Sequence, residues 1–229
     1  MVRKPKRHES PAPDRELDFS GKYDAALARK YFHKHQRGLK ARLNTWCEVA
    51  MARRALKLAG RPQSVLDLPC GTGRFWALLA EEPGRKIFAA DLNPPMFEAA
   101  MQFRPAALTR RVEVFQGSAF SIPKPDNFVE CIFCIRLLHH IAGHEDRLRL
   151  LREFKRVTSS TIIISLWIDG NYRAMLQQRK PERPGRIRDC FVTKRAVIEQ
   201  EFAECGLTVV GRVDFLKYYS MWAAYVLRK

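Results

Sequence analysis

The chain reads as an α/β protein: a doubly wound, mostly parallel seven-stranded sheet with helices on both faces and a terminal antiparallel hairpin. Three observations predict this. From Ser64 onward, short apolar runs alternate with stretches of helical periodicity, the pattern of parallel strands joined by crossover helices. The first of these runs passes straight into Pro69-Cys70-Gly71-Thr72-Gly73, a strand feeding a glycine loop. Near the C-terminus, residues 207–215 and 221–227 alternate as the two strands of a hairpin would.

Residues 24–58 contain no proline and a single glycine, with Leu39, Leu43, Trp46, Val49, Ala50 and Leu56 at helical spacing. They predict two helices broken near Gly38, the second closed by Gly60. Strand one covers 64–68 and is followed by a helix over 74–80; strand two covers 86–90 and ends at Asp91. Asn93 before Pro94 and Pro95 is a cap for a helix reaching Met101. Strands over 112–115 and 128–135 flank a turn-rich stretch, and a helix over 145–157 leads to a fifth strand at 161–166. An irregular basic insert, 170–192, carries Pro181, Pro184 and Gly185, and a last helix over 194–205 stops at Gly206. The expected organisation is a disordered basic arm at 1–22, a helical lid at 23–60 and one α/β domain at 61–229.

A chain of 229 residues with 46% hydrophobic content supports one good core. It contains no run of the roughly eighteen apolar residues that a membrane-spanning helix requires, and residues 1–15 lack the apolar core of a secretory signal. Six scattered cysteines fit reduced thiols, so the cytoplasm is the expected compartment. Cys131 and Cys134 have C-x-x-C spacing, but in a strand residues three apart face opposite ways. With no second cysteine pair for zinc, they are expected in the core and no metal site is expected.

The chemistry centres on Asp67-Leu68-Pro69-Cys70-Gly71-Thr72-Gly73, where small residues let the backbone approach a ligand. Asp91, at the end of the second strand, is spaced to accept both ribose hydroxyls of a nucleoside. A dinucleotide loop, Gly-x-Gly-x-x-Gly, would need a glycine at residue 76; that residue is Trp76.

These residues resemble the class I S-adenosylmethionine-dependent methyltransferases, whose first motif runs acidic-x-Gly-x-Gly-x-Gly. Asp67, Gly71 and Gly73 match it, while Pro69 takes the first glycine position and removes an N–H there. The resemblance spans about residues 65–168 and implies a Rossmann-like methyltransferase fold, with S-adenosylmethionine as cofactor and S-adenosylhomocysteine as product. It implies that Asp67, Pro69, Cys70, Gly71 and Gly73 form the cofactor loop, that Asp91 holds the ribose, and that Leu92, Ser118 and Ala119 meet the adenine. Many relatives carry an aspartate where this chain has Ser118. By the same resemblance Arg136 faces the site, and His139-His140-Ile141 is similar to a histidine-bearing tract of small-molecule methyltransferases. Arg136, His139 and His140 are therefore the candidate catalytic residues. Either histidine could serve a hydroxyl acceptor as base, or one caps the strand junction while the other packs.

The acceptor is less marked. Ile135-Arg136-Leu137-Leu138 lacks the Asn/Asp-Pro-Pro-aromatic turn of enzymes that methylate base amines, and Cys134 sits in an expected buried strand. The 41 Lys and Arg against 24 Asp and Glu give a formal charge of +17. Arg29, Lys30, Lys34, Arg37, Lys40, Arg42, Arg53, Arg54 and Lys57 decorate the first helices around one acid, Glu48; Arg179, Lys180, Arg183, Arg186 and Arg188 mark the insert. They suit an anionic small-molecule or phosphorylated glycolipid acceptor, with RNA as the alternative, or are solvated helix faces. Tyr23, Tyr31, Phe32 and Trp46 could stack on bases or pack a lid onto the domain. A protein that binds the nucleoside without turnover would carry the same loop and Asp91.

Overall fold

A computed structural model of the chain describes residues 24–34, 38–179 and 190–229. The expected arm at 1–22, Tyr23, Arg37 and the cluster Lys180, Arg183, Arg186 and Arg188 lie outside the described residues.

Among the described residues eight strands form one sheet: β1 (Ser64–Asp67), β2 (Lys86–Asp91), β3 (Val112–Gln116), β4 (Val129–Cys134), β5 (Thr158–Ile168), β6 (Val192–Thr193), β7 (Thr208–Asp214) and β8 (Trp222–Arg228). Their order is β3-β2-β1-β4-β5-β8-β7, with the short β6 paired to β5. The pairs β1–β2, β2–β3, β1–β4, β4–β5 and β5–β6 are parallel, whereas β5–β8 and β7–β8 are antiparallel. The chain thus runs outward from β1 to β3, returns, and continues from β4 the other way. That reversal puts a crevice at the carboxyl ends of β1 and β4, where open α/β sheets bind ligands.

Strand alternation builds two cores. On β4, Ile132 and Cys134 face one and Cys131 and Phe133 the other; Ile162 and Ile164 oppose Ile163 on β5 in the same way. One core is covered by α6 (His144–Val157) and α8 (Arg195–Glu204), through Leu148, Leu151, Phe154, Ile198 and Phe202. The other is covered by α2 (Leu39–Leu58) and the single turn α3 (Trp76–Leu79), through Met51, Ala52, Ala55, Trp76 and Leu79. Cys131 and Cys134 are both fully buried, one in each core.

The remaining helices are α1 (Ala25–Lys34), α4 (Pro94–Phe103), α5 (Ala106–Thr109) and α7 (Tyr172–Gln178). Phe32 of α1 is buried and packs on Phe103 of α4 at 5.3 Å, which seats the first helix beside the loop after β2.

Three expectations need correction. The buried stripe of α2 is Glu48, Met51, Ala52, Ala55 and Leu56, while Leu39, Leu43 and Trp46 are exposed, so the first half of the apolar pattern faces away from the core. The helix after the glycine loop shrinks to the turn α3, because Gly71 and Gly73 hold positive φ and keep the chain out of a helix until Trp76. The insert is not irregular throughout: it holds α7, capped by the Asn171 side-chain Oδ1, which accepts from the Ala174 N–H, and β6.

Candidate functional site

The loop between β1 and α3 is fixed by its own backbone. After a cis Leu68–Pro69 bond, the Cys70 N–H donates to the Ala90 carbonyl at 2.8 Å, tying the loop to β2. Gly71 and Gly73 have φ of 52° and 64°. At Gly73 a Cβ would lie 2.7 Å from the Trp76 ring, so only glycine fits both the angle and the space. Trp76, which stands where a dinucleotide loop would carry its last glycine, is fully buried.

Asp91 closes β2 beside this loop. Its Oδ2 accepts from the Gly71 N–H at 2.9 Å and its Oδ1 from the Asn93 N–H at 3.0 Å. Burial raises its pKa above the usual carboxylate value, and these N–H groups oppose the shift. The second acid, Asp67, is 1% exposed and is not among the residues lining the cleft. Burial, and secondly the charge of Asp91, hold it well above the carboxylate range.

A cleft is lined after β1 by Leu68, Pro69, Cys70, Gly71 and Thr72, at and after the end of β2 by Asp91, Leu92 and Asn93, and after β3 by Gly117, Ser118, Ala119 and Phe120. Ser118 accepts from the Phe120 N–H at 3.2 Å, so its hydroxyl oxygen is engaged and its proton is left to donate. Tyr31, Arg74, Arg136, Leu137 and His140 line the cleft as well.

Arg136 holds φ at 73°, a left-handed conformation for a side-chain-bearing residue. Its N–H donates to Ser165 Oγ at 2.9 Å, and its guanidinium lies 5.3 Å over the Trp222 ring. Glu48 reaches in from α2, with its carboxylate 3.1 Å from Arg136 and 2.9 Å from Arg74. In the sequence Glu48 is a lone acid in a basic helix and Arg74 carries no motif signal, because their partners are distant in sequence.

The two histidines part company. His140 lines the cleft, with Cys190 Sγ 3.7 Å from its Nδ1. His139 is 2% exposed, stacked at 5.1 Å on Trp167 and edge-on to Trp222, and is not among the cleft-lining residues. Burial, then the neighbouring charges of His140 and Arg136, lowers its pKa to about 2, so it stays neutral. Ligand-type atoms of His139, His140 and Cys190 lie within 4.8 Å of one another, a grouping that the sequence separation of Cys190 concealed.

Residues 65–161 match the family model of a methyltransferase domain. A ubiquinone/menaquinone biosynthesis C-methyltransferase from Cronobacter sakazakii is 34% identical over 92 residues, 39% of this chain and 37% of that protein. An uncharacterized methyltransferase-like protein of Schizosaccharomyces pombe is 29% identical over 91 residues, 40% of this chain and 34% of that one. The chain therefore matches little more than a third of the length of these curated relatives. In overall shape it is similar to magnesium protoporphyrin IX methyltransferase from Synechocystis, solved with bound S-adenosylhomocysteine, with a TM-score of 0.68 at 15% identity over 90% of this chain and 100% of that one. A methyltransferase from Aquifex aeolicus gives 0.60 at 20% identity over 90% and 98%. At such identities the likeness concerns the fold. The matched segment, which holds β1, its glycine loop and Asp91, is where the chain is similar to methyltransferase domains.

Proposed function

We propose that the protein transfers a methyl group from S-adenosylmethionine to a small or medium-sized anionic acceptor, a phosphorylated metabolite or a phosphorylated glycolipid headgroup. The observation that carries this reading is Asp91 in the cleft. Each of its carboxylate oxygens accepts one main-chain N–H, from Gly71 and Asn93, and a carboxylate has about four acceptor positions in all. The carboxylate lines the cleft, where the vicinal hydroxyls of a ribose can reach its oxygens. Gly71, without a side chain and with Met96 the nearest neighbour at 3.6 Å from a Cβ placed there, suits close approach of the sulfonium arm. Leu92 and Ala119 offer an apolar slot for adenine, in which Ser118 hydrogen-bonds an edge.

When bound, S-adenosylmethionine supplies a methyl group on a sulfonium, an electrophile whose transfer depends mainly on alignment. The chain's own task is then positioning. Tyr31 and Arg136 hold the acceptor against the open side of the cofactor slot, and His140 takes the proton of a hydroxyl acceptor. His139 acts through packing: wedged between Trp167 and Trp222, it fixes the main chain that presents His140. Arg29 and Lys30 on α1 and Arg42, Arg54 and Lys57 on α2 are exposed and bias encounters toward anions. Among the described residues no helix is long and apolar enough to cross a membrane.

Incubation of the purified protein with methyl-labelled S-adenosylmethionine and cell extract tests this reading. Label is expected in a low-mass anionic fraction. Label confined to RNA would replace the acceptor class, and binding of S-adenosylhomocysteine with no transfer to any fraction would make the protein a non-catalytic binder.

A further inference from the structure

Two guanidiniums and one carboxylate meet at the acceptor wall of the cleft. Arg74 follows the glycine loop, Arg136 follows β4, and both line the cleft. Glu48, 6% exposed, stands between them at 2.9 and 3.1 Å. One negative charge thus answers two positive ones. Arg104, whose Nε donates to the Thr72 carbonyl at 3.1 Å, is a third guanidinium nearby: burial, and secondly the charge of Arg74, disfavour its charged form. The wall carries an excess of positive charge in a partly desolvated recess, where an anion gains most.

The geometry is built rather than incidental. Arg74 is braced by its Nη2 donating to Thr45 Oγ1 at 3.0 Å and by Glu48. Arg136 is braced on three sides, by Glu48, by the Trp222 face and by the Ser165 hydroxyl that receives its main-chain N–H. Its left-handed backbone is a strained state that persists only where the surroundings impose it, and such strain gathers at ligand sites. The side chain nevertheless keeps 34% of its surface exposed, and Arg136 is among the residues that line the cleft. A planar guanidinium held at one edge and presented at another is the fork that grips an oxyanion through paired N–H groups.

We propose that Arg136, reinforced by Arg74 and positioned by Glu48, binds a carboxylate or phosphate group of the methyl acceptor. This rests on the methyltransferase reading above and adds to it the residues that select the substrate class. The methionyl carboxylate of the cofactor has the same chemistry, so the test must separate the two sources.

Phenyl phosphate is titrated calorimetrically, at constant ionic strength, into protein saturated with S-adenosylhomocysteine. Saturable binding is expected, weakened about tenfold in Arg136→Gln and in Arg74→Gln and less in Arg136→Lys, which keeps the charge and loses the fork. Affinities for S-adenosylhomocysteine and for 5′-methylthioadenosine, which lacks the carboxylate, are expected to stay within twofold in Arg136→Gln. Equal phenyl phosphate binding in wild type and both Gln variants overturns the proposal. So does a fall in S-adenosylhomocysteine affinity with that for 5′-methylthioadenosine unchanged, which hands the fork to the cofactor. If wild type binds neither nucleoside, the cofactor reading fails instead, and the titration of the protein alone still decides the fork. Arg136 is partly exposed, so its variants are expected to fold; coincident thermal midpoints check this.

Discussion

The Gly71 N–H points at Asp91 Oδ2 across 2.9 Å, so the turn after the first strand and the acid ending the second form one hydrogen-bonded unit. The carboxylate thereby shapes the loop as well as facing the cleft. Asp91→Ala should weaken S-adenosylhomocysteine binding by about 1.5–3 kcal/mol, since it removes charged hydrogen bonds. Calorimetric titration checks this; unchanged affinity would place the ribose elsewhere.

Gly71 and Gly73 share a backbone conformation but differ in surroundings. A Cβ at Gly73 meets the buried Trp76 ring at 2.7 Å, whereas one at Gly71 meets only the flexible end of Met96 at 3.6 Å. Gly73→Ala should therefore cost about 3 kcal/mol of stability, from strain plus overpacking, and Gly71→Ala about 1 kcal/mol from strain alone. Denaturant midpoints in the reverse order would show that Trp76 yields.

These two glycines also mark what was legible in the sequence. The strand, loop and acid at 65–91 were readable because the motif is local, and the alternation of β4 and β5 was readable because a sheet buried on both faces needs apolar residues at both parities. Glu48 was not. In the sequence it is a lone acid on a basic helix, because its partner Arg136 lies 88 residues away, a pairing that only the folded sheet creates. The outward turn of Leu39, Leu43 and Trp46 was hidden for a related reason: spacing reports a stripe, not which stripe meets the core. His139 and His140 are adjacent in sequence, and only the packing of Trp167 and Trp222 decides which one reaches the cleft.

Glu48 is held between Arg74, whose side chain is 12% exposed, and Arg136. Glu48→Ala would leave the buried guanidinium of Arg74 without its counterion. The expected loss is about 3 kcal/mol, at the low end for a broken buried pair because Arg136 reaches water. Chemical denaturation measures it; a loss below 1 kcal/mol would mean that Arg74 swings out to solvent.

His139 gives a pH dependence of defined sign. Its pKa is about 2 in the folded protein against 6.5 ordinarily, so below pH 6.5 the unfolded chain takes up a proton that the folded chain refuses. The stability due to neutral His139 is present above pH 6.5 and drains away as pH falls below it, by up to about 1.4 kcal/mol per pH unit. Asp67, raised by burial, contributes in the opposite sense, so the comparison must be with His139→Phe rather than with an absolute curve. Between pH 6 and 5 the wild type should lose more stability than this variant. Parallel curves would show that His139 charges within the fold.

The six cysteines divide by burial in a way that a thiol reagent can read. Cys70, Cys131, Cys134 and Cys205 are buried, while Cys47 and Cys190 are partly exposed. Burial pushes the Cys131 thiol up to about 12 and holds Cys70 and Cys134 well above the ordinary value, so little nucleophilic thiolate forms at neutral pH. Cys131 and Cys134 also face different cores, on opposite sides of the sheet, which keeps their sulfurs from pairing without breaking β4. In native buffer Cys47 and Cys190 are expected to label, with the remaining four reacting only after unfolding. Fast labelling of Cys131 or Cys134, located by peptide mass spectrometry, would contradict the strand placement from which the two-core architecture is built.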